Sequence, residues 1–517
     1  METSQRQVAR AAALVMAAFA VSRLLGLVRQ VVFGAYFGTG PEMDAYVAAG
    51  RIPDAIFLVV AGGALGSAFI PLFTSRLARG ETDAAWRLAS ATITILVAIL
   101  LPLSLICIAA APWLVRVFVA PALEPEVQAR TVVLMRVMLL SPAIFGVSGV
   151  VMGALNAHQH FLLPALAPIV YNVGLIAGAV WGGLTPVGAM GPAVGMVVGA
   201  TGHLLVQFPG LARRGARYVP TLGVGDAGVR EVGLLMAPRV LGVAAAQINM
   251  IVTTNLASRL GAQAISSLEY AWRVMLLPQG IFAQAVGTAV FPTFSAQAAL
   301  GELGALRTTL TNALRTLIAL TIPASVGLVL LGEPIVAVMF QRGAFDAGST
   351  RAVAWALGFY AIGLVGHSAL EVLGRAFYSL HDTWTPAAAA VVSVTLNAVL
   401  GLVLPRAFEA AGWLPLGGLA LATALAALVE ATIQFVLIHR KLGGFDARPV
   451  AVTALRVGLA SAGMGLALVV LRWVGPAGPL AQAMAGVPVG VLVYLVLAWM
   501  LGVDQLRSAV RMVRRAA

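Results

Sequence analysis

Cysteine occurs once, at Cys107, within an apolar run. That excludes an intrachain disulfide framework and a cysteine-rich metal site, and leaves a small buried hydrophobe as the ordinary role for the residue. Lysine is equally scarce: of 33 basic residues only Lys441 is not an arginine. Charge of either sign is thin, at 10% of 517 residues, where a soluble domain carries about a quarter. No Gly-rich phosphate loop, paired acidic motif for Mg²⁺-pyrophosphate chemistry, His/Cys cluster or nucleophile beside a base occurs. The chain reads as neither an enzyme nor an ATP-driven machine, and as needing no cofactor. Its energy source is then a gradient or the membrane potential, which is worth about 2.3 kcal/mol per elementary charge per 100 mV.

What the chain does have is apolar length. Hydrophobic residues make up 60% and the mean hydropathy is +0.95, so the class is a polytopic integral membrane protein. A helix needs about 20 apolar residues to cross the hydrocarbon layer, and about fourteen stretches qualify. They begin near Val8, Ala45, Ala85, Arg130, Phe161, Val187, Val229, Gln263, Leu306, Arg351, Trp384, Leu414, Ala451 and Leu480. Pro53 and Pro278 are expected kink sites. The first run is read as a transmembrane helix and not as a cleaved signal. The net charge of +13 would suggest nucleic acid in a soluble protein, but here most of the arginines fall in alternate loops. Their asymmetry places both termini in the cytoplasm and requires an even number of spans.

The chain also repeats itself. Pro71-Leu72-Phe73 recurs as Pro292-Thr293-Phe294, and Pro102, Pro112, Phe118, Gly153 and Pro164 recur as Pro323, Pro334, Phe340, Gly374 and Pro386, all offset by 221 or 222 residues. Six spans per repeat is an even number, so the halves share orientation about an axis along the membrane normal, a plan transporters use. The expected domains are 1–218 and 219–445, each a six-helix lobe, and 446–517, two extra helices with a basic tail.

An unpaired charge at membrane depth costs several kcal/mol and usually faces protein or a water-filled cavity. Residues 20–54 carry Arg23, Arg29, Asp44, Arg51 and Asp54 inside apolar surroundings, and arginine suits a phosphate because its planar fork donates two parallel hydrogen bonds. Arg23 and Arg29 are roughly 120° apart around a helix and about 9 Å along it. They can line one cavity from its corner; alternatively Arg29 snorkels to the interface while Arg23 pairs with a carboxylate. Asp44, Arg51 and Asp54 share a helical face and can balance charge in the empty state, although Asp44 can equally be an N-cap. Glu269 and Arg273, one turn apart, form a potential ion pair, and Arg273 is the second half's cationic contribution. Glu430, alone among apolar residues, fits an ion or proton site or a solvated helix end.

These residues lie in motifs that resemble the lipid II flippase family of the multidrug/oligosaccharidyl-lipid/polysaccharide exporter superfamily. The resemblance rests on Ser22-Arg23-Leu24-Leu25-Gly26-Leu27-Val28-Arg29, Asp44-Ala45, Arg51-Ile52-Pro53 and Gly62-Gly63-Ala64-Leu65. It continues through Tyr270-Ala271-Trp272-Arg273, Arg342-Gly343-Ala344-Phe345-Asp346 and Arg375-Ala376-Phe377-Tyr378. It implies an all-α membrane protein of about fourteen helices in the bacterial cytoplasmic (inner) membrane. Such a protein moves the undecaprenyl-pyrophosphate-linked peptidoglycan precursor to the outer leaflet by alternating access. On this resemblance Arg23, Arg29 and Arg273 bind substrate, Asp44, Arg51, Asp54 and Glu269 gate or balance charge, and the last two helices hold the lipid tail. Asn397 and Thr423 are the candidate sodium contacts, with no matching carboxylate. Phe57, Gly62 and Leu276 stand where relatives commonly carry an arginine, a glutamate and a carboxylate, which leaves gating pairs and ion coupling open. The implied partners are lipid II or a related polyprenyl-pyrophosphate glycan, membrane lipids, and a monovalent cation or the membrane potential, with no nucleic acid. A flippase for another glycan, a cation-coupled exporter on the same fold and a polyprenyl-phosphate-processing enzyme are the alternatives.

Overall fold

A computed structural model describes residues 2–60, 64–223, 225–444, 446–475 and 478–505, with side chains omitted at 2–14, 60, 64–68, 235 and 237–242. Gly62 and Gly63, the side chain of Arg239, and the basic tail beyond residue 505 lie outside the described residues. Among the described residues the regular structure is all helix, without a strand. In order they form α1 (Glu2–Phe37), α2 (Pro41–Val60), α3 (Ala64–Ala78), α4 (Thr82–Trp113), α5 (Pro125–Met138), α6 (Ser141–Ala157), α7 (Leu162–Leu184), α8 (Met190–Leu205) and α9 (Phe208–Ala212). These are followed by α10 (Ala227–Ala257), α11 (Ala264–Pro278), α12 (Gln284–Ala299), α13 (Leu303–Phe340), α14 (Ala347–Ser379), α15 (Trp384–Ala410), α16 (Pro415–Lys441), α17 (Arg448–Val474) and α18 (Pro479–Met500).

Among the described residues twelve helices are long and apolar enough to cross a membrane. The remaining two of the fourteen expected stretches are α2 with α3, and α10. The charges of α2, Glu42, Asp44, Arg51 and Asp54, set it apart from an ordinary lipid-facing span. The sequence repeat reappears in helix boundaries: α4 with the π-helical turn Leu114–Val119 spans Thr82 to Val119, and α13 spans Leu303 to Phe340, offset by 221 at both ends. At Pro278 helix α11 ends in a π-helical turn, Gln279–Ala283, because proline removes one intrahelical bond and crowds the preceding turn. Pro53, by contrast, sits inside an unbroken α2.

The chain divides into two compact units: residues 1–265 with 342–345, and residues 266–341 with 346–517. In the first unit α7 and α8 meet along two glycine rows, Gly174, Gly178 and Gly182 against Gly191, Gly195 and Gly199. A Cβ on Gly178 would lie 2.4 Å from the Gly191 carbonyl oxygen, and one on Gly182 2.1 Å from that of Gly188. Lipid tails offer no hydrophobic drive between helices, so backbone approach through small residues supplies the packing contact. At one end of the unit Arg76 forks onto both carboxylate oxygens of Asp226 and donates to the Ala84 carbonyl at 2.9 Å. Asp226 also caps α10, accepting from the Gly228 N–H at 2.8 Å. The Arg76 bond holds the Asp226 carboxyl below the usual carboxylate range.

In the second unit α12, α13, α14 and the end of α16 bury Phe294, Leu310, Leu314, Phe377 and Ile438. A separate core of Leu331, Val457, Met464, Leu468 and Tyr494 fastens α17 and α18 to α13. The Tyr494 hydroxyl donates to the Ala319 carbonyl at 2.5 Å. Between these three helices lies a mostly apolar groove of about 310 Å³, lined by Leu330, Leu331, Pro334, Leu468, Trp473 and Gln482. Arg472 pairs with Glu333 beside it at 3.1 Å.

Two stability tests follow from this packing. Gly178→Val, which inserts a branched side chain into backbone contact, lowers the thermal midpoint in detergent by the equivalent of about 1–3 kcal/mol. Gly358→Ala, where an added Cβ meets nothing within 4 Å, leaves the midpoint unchanged. The second test is acid titration of stability. Because the folded Asp226 carboxyl is depressed, its stabilisation is full at neutral pH and is lost as pH falls through the carboxylate range toward the depressed value. Asp226→Asn removes that segment of the curve and costs about 1–3 kcal/mol at pH 7.

Candidate functional site

Arg23 and Arg29 both stand on α1. Arg23 is exposed and its guanidinium has no partner among the described residues, whereas Arg29 is half-buried and engaged. Gly26 lies between them on the helix surface, roughly 60° from each, and a Cβ added there would meet nothing within 4 Å. Both guanidinium stems therefore flank one open strip. Exposed Val21, Leu24 and Val28 project elsewhere, about 100–160° round from Arg23, so the apolar and cationic exposures of this stretch are separate faces. Further along, Gln30, Phe33 and Phe37 continue the cationic side and are buried. Phe33 packs edge-on to Tyr46 at 5.2 Å and to Phe37 at 6.3 Å. The open strip thus ends on a packed aromatic floor.

On α2 three of the charged residues, Asp44, Arg51 and Asp54, meet different fates. Asp44 is fully buried, and its Oδ2 accepts the Gln263 N–H at 2.7 Å. Gln263 has a positive φ of 73° and immediately precedes α11. Asp44 therefore accepts from a backbone N–H remote in sequence, a partner beyond the N-cap role that one sequence reading allowed. Arg51 donates through Nε to the Thr254 hydroxyl of α10 at 2.7 Å, and Thr254 donates in turn to the Met250 carbonyl at 2.9 Å. Asp54 is exposed.

The turn after α1 is built by crossing backbones. Residues 342–345 dock on it, with the Ala344 N–H donating to the Ala35 carbonyl at 2.8 Å and Phe345 buried. Gly38 and Gly343 both have φ of 59°, and a Cβ on either would lie 2.4 or 2.2 Å from the other segment's carbonyl oxygen. Only glycine satisfies both the left-handed conformation and the approach.

In the second unit Arg273 pairs with Glu269 at 2.6 Å, with the arginine side chain 41% exposed and the glutamate 8%. Trp272 beside it packs on Tyr360 and His367 at 5.4 and 5.1 Å, and Tyr270 on Phe340 at 5.2 Å. The arginine is thus the accessible member of the pair on a helix anchored by its aromatic neighbours. Leu276 is exposed on the same helix, and Phe57 of α2 packs on Phe145 at 4.8 Å. Asn397 of α15 and Thr423 of α16 are hydrogen-bonded to each other at 3.2 Å within the protein. Among the described residues no group of three His, Cys, Asp or Glu side chains could hold a metal ion.

Fold and site together define a class: a multi-pass, internally repeated helical membrane transporter with arginines set inside its spans. The fold is shared at low identity by an inward-facing multidrug resistance MATE family transporter, 15% identical with a TM-score of 0.66 over 83% of this chain and 98% of that one. The family model of the lipid II flippase MurJ matches residues 33–478, and the chain belongs to that family. A curated lipid II flippase MurJ from Burkholderia cenocepacia is 34% identical over 382 residues, 72% of this chain and 73% of the relative. A probable lipid II flippase MurJ from Rhizobium meliloti is 30% identical over 520 residues, 96% of this chain and 94% of the relative. A solved structure titled "Lipid II flippase MurJ, inward closed conformation" superposes with a TM-score of 0.79 at 25% identity, covering 95% of this chain and 99% of that one.

Sequence reasoning missed Thr254 and Gln263, the groups that hold Arg51 and Asp44. Thr254 carried a signal, since Asn249, Thr253, Thr254 and Asn255 interrupt an apolar stretch; the Gln263 backbone N–H carried none. The Asp44 contact is testable by hydrogen exchange. Asp44→Ala speeds exchange of the Gln263 amide by about 10-fold or more, as befits loss of one charge-assisted bond of about 1.5–3 kcal/mol. Asp44→Asn, which keeps an acceptor oxygen, largely preserves the protection.

Proposed function

We propose that this protein moves lipid II, a polyprenyl-pyrophosphate-linked glycan, from the inner to the outer leaflet of the bacterial cytoplasmic membrane by alternating access, without chemical conversion. The carrying observation is the pair of arginines flanking the open strip at Gly26. A diphosphate needs charge-assisted, forked donors in a low-dielectric setting, and arginine keeps its charge there. Arg23 and Arg29 supply such donors from α1. Arg273 supplies a third, held in place by Glu269 at 2.6 Å with further N–H donors left for an anion.

Asp44, Arg51, Asp54 and Glu269 serve as the charge-balancing set. Family membership supports lipid II as the cargo, and the groove between α13, α17 and α18 suits part of a polyprenyl tail by its apolar lining. Both termini face the cytoplasm on the distribution of loop arginines. A six-helix plan for 1–218 and 219–445 with two added helices remains the reading of the repeat. A drug exporter on the same fold is disfavoured by three arginines, since a cationic drug calls for acidic and aromatic lining.

The test is transfer of labelled lipid II in vesicles containing the purified protein. Arg23→Ala and Arg273→Ala abolish transfer while retaining the wild-type melting curve, and lysine at either position restores only part of it, since an ammonium cannot make the forked contact. Full transfer by both alanine variants refutes the assignment of these residues; chemical conversion of the lipid refutes the transport reading.

A further inference from the structure

Glu430 is used by none of this. It is the sixteenth of 27 residues in α16, roughly 22 Å from the start of that helix and about 16 Å from its end. Among the described residues its carboxylate has only neutral partners. Gln434, one turn on and 3% exposed, donates from Nε2 to Glu430 Oε1 at 3.2 Å. The hydroxyl of Ser393 on α15 is within hydrogen-bonding reach. The Gln434 Oε1 is buried and accepts nothing among the described residues.

Among the described residues no charged side chain is paired with Glu430 from the helices packed on it. Helix α15 runs antiparallel to α16, pairing Asn397 with Thr423 and Ser393 with Glu430. Its own ions, Arg406 and Glu409, lie beyond Pro405, which packs at Gly418. Helix α14 packs through Gly363 and Gly366 against Ala424 and Ala427. Of its ionisable groups, His367 lies against Trp272 at 5.1 Å and Glu371 is paired with Arg375 at 2.7 Å, while Arg351 stands in its first turns. His439, Arg440 and Lys441 close α16, about 13 Å or more from Glu430 along the axis.

We infer that Glu430, with Ser393 and Gln434, is a proton-binding site in the membrane-embedded α15/α16 seam, loaded and unloaded during the transport cycle. An ionised carboxylate in an apolar bundle without a counter-ion is costly, and a proton from water removes that cost by converting it to a carboxylic acid. The new O–H needs an acceptor, and a half-turn of the Gln434 amide presents its orphaned Oε1 to it. The two faces of that amide therefore serve the two protonation states: Nε2–H donates to the carboxylate, and Oε1 accepts from the acid. Three side chains supply too few oxygens to cage a metal cation, whereas a proton needs one acceptor.

The inference rests on the transport reading for its role in the cycle, but proton binding itself can be read without transport. Infrared titration of the protein in lipid nanodiscs should show a carboxylic-acid C=O band that fades as pH rises and is missing in Glu430→Gln. Gln434→Leu and Ser393→Ala should move its midpoint. Identical spectra for wild type and Glu430→Gln, or a band displaced by sodium at fixed pH, overturn the proposal. In vesicles held at constant membrane potential, a pH gradient should change the wild-type lipid II transfer rate several-fold. Glu430→Gln should transfer at a rate indifferent to the gradient; an unchanged response in that variant also overturns it. Wild-type protein that shows the band but moves no lipid II leaves the proton site standing and refutes the cargo assignment.

Discussion

A guanidinium placed in an apolar helix has two tolerable endings, an oxygen that pairs with it or an aqueous space that solvates it. The arginines of this protein use both. Arg76 and Arg375 end on carboxylates, and Arg51 on a hydroxyl. Arg23 has no such oxygen among the described residues, and the strip beside it is open. That contrast separates structural cations from those free to meet an anion, and residue type alone cannot make the separation.

Much of the fold was legible because membrane helices advertise themselves by length. The fourteen apolar stretches correspond one by one to helical segments, and the 221-residue offset survives as matching boundaries in α4 and α13. Proline was legible only in part. Pro278 stands at a π-helical break, whereas Pro53 is absorbed in α2, because a single missing N–H and a crowded carbonyl can be accommodated locally when packing holds the helix on both sides. The glycine rows of α7 and α8 were invisible as a packing device in a chain so rich in glycine. Their meaning depends on which rows face each other, which is tertiary information.

The site was legible in its ions and illegible in their partners. Arg23, Arg29, Asp44, Arg51 and Arg273 announce themselves as charges among apolar residues. Asp44 ends on a backbone N–H 219 residues away, and a backbone donor leaves no mark on the sequence. The crossing of Gly38 and Gly343 was half visible: Arg342-Gly343-Ala344-Phe345 is recognisable as a pattern, yet only the two positive φ angles and the close carbonyls explain why glycine is required there.

The two kinds of arginine also differ in what an arriving anion must displace. On the proposed binding role, a diphosphate reaching Arg23 replaces solvent. One reaching Arg273 competes with Glu269, whose carboxylate is 8% exposed and sits 2.6 Å away. Losing that pair costs a nearly buried carboxylate its 2.6 Å ionic contact, so the exchange is more favourable when the anion binds without breaking it. A half-exposed guanidinium has five N–H donors and can serve both at once. Glu269 then holds the fork in place and occupies only part of its donor set, and the anion gains a preorganised cation at little cost in side-chain entropy. The same argument predicts less from Arg29, whose existing engagement must be shared or released.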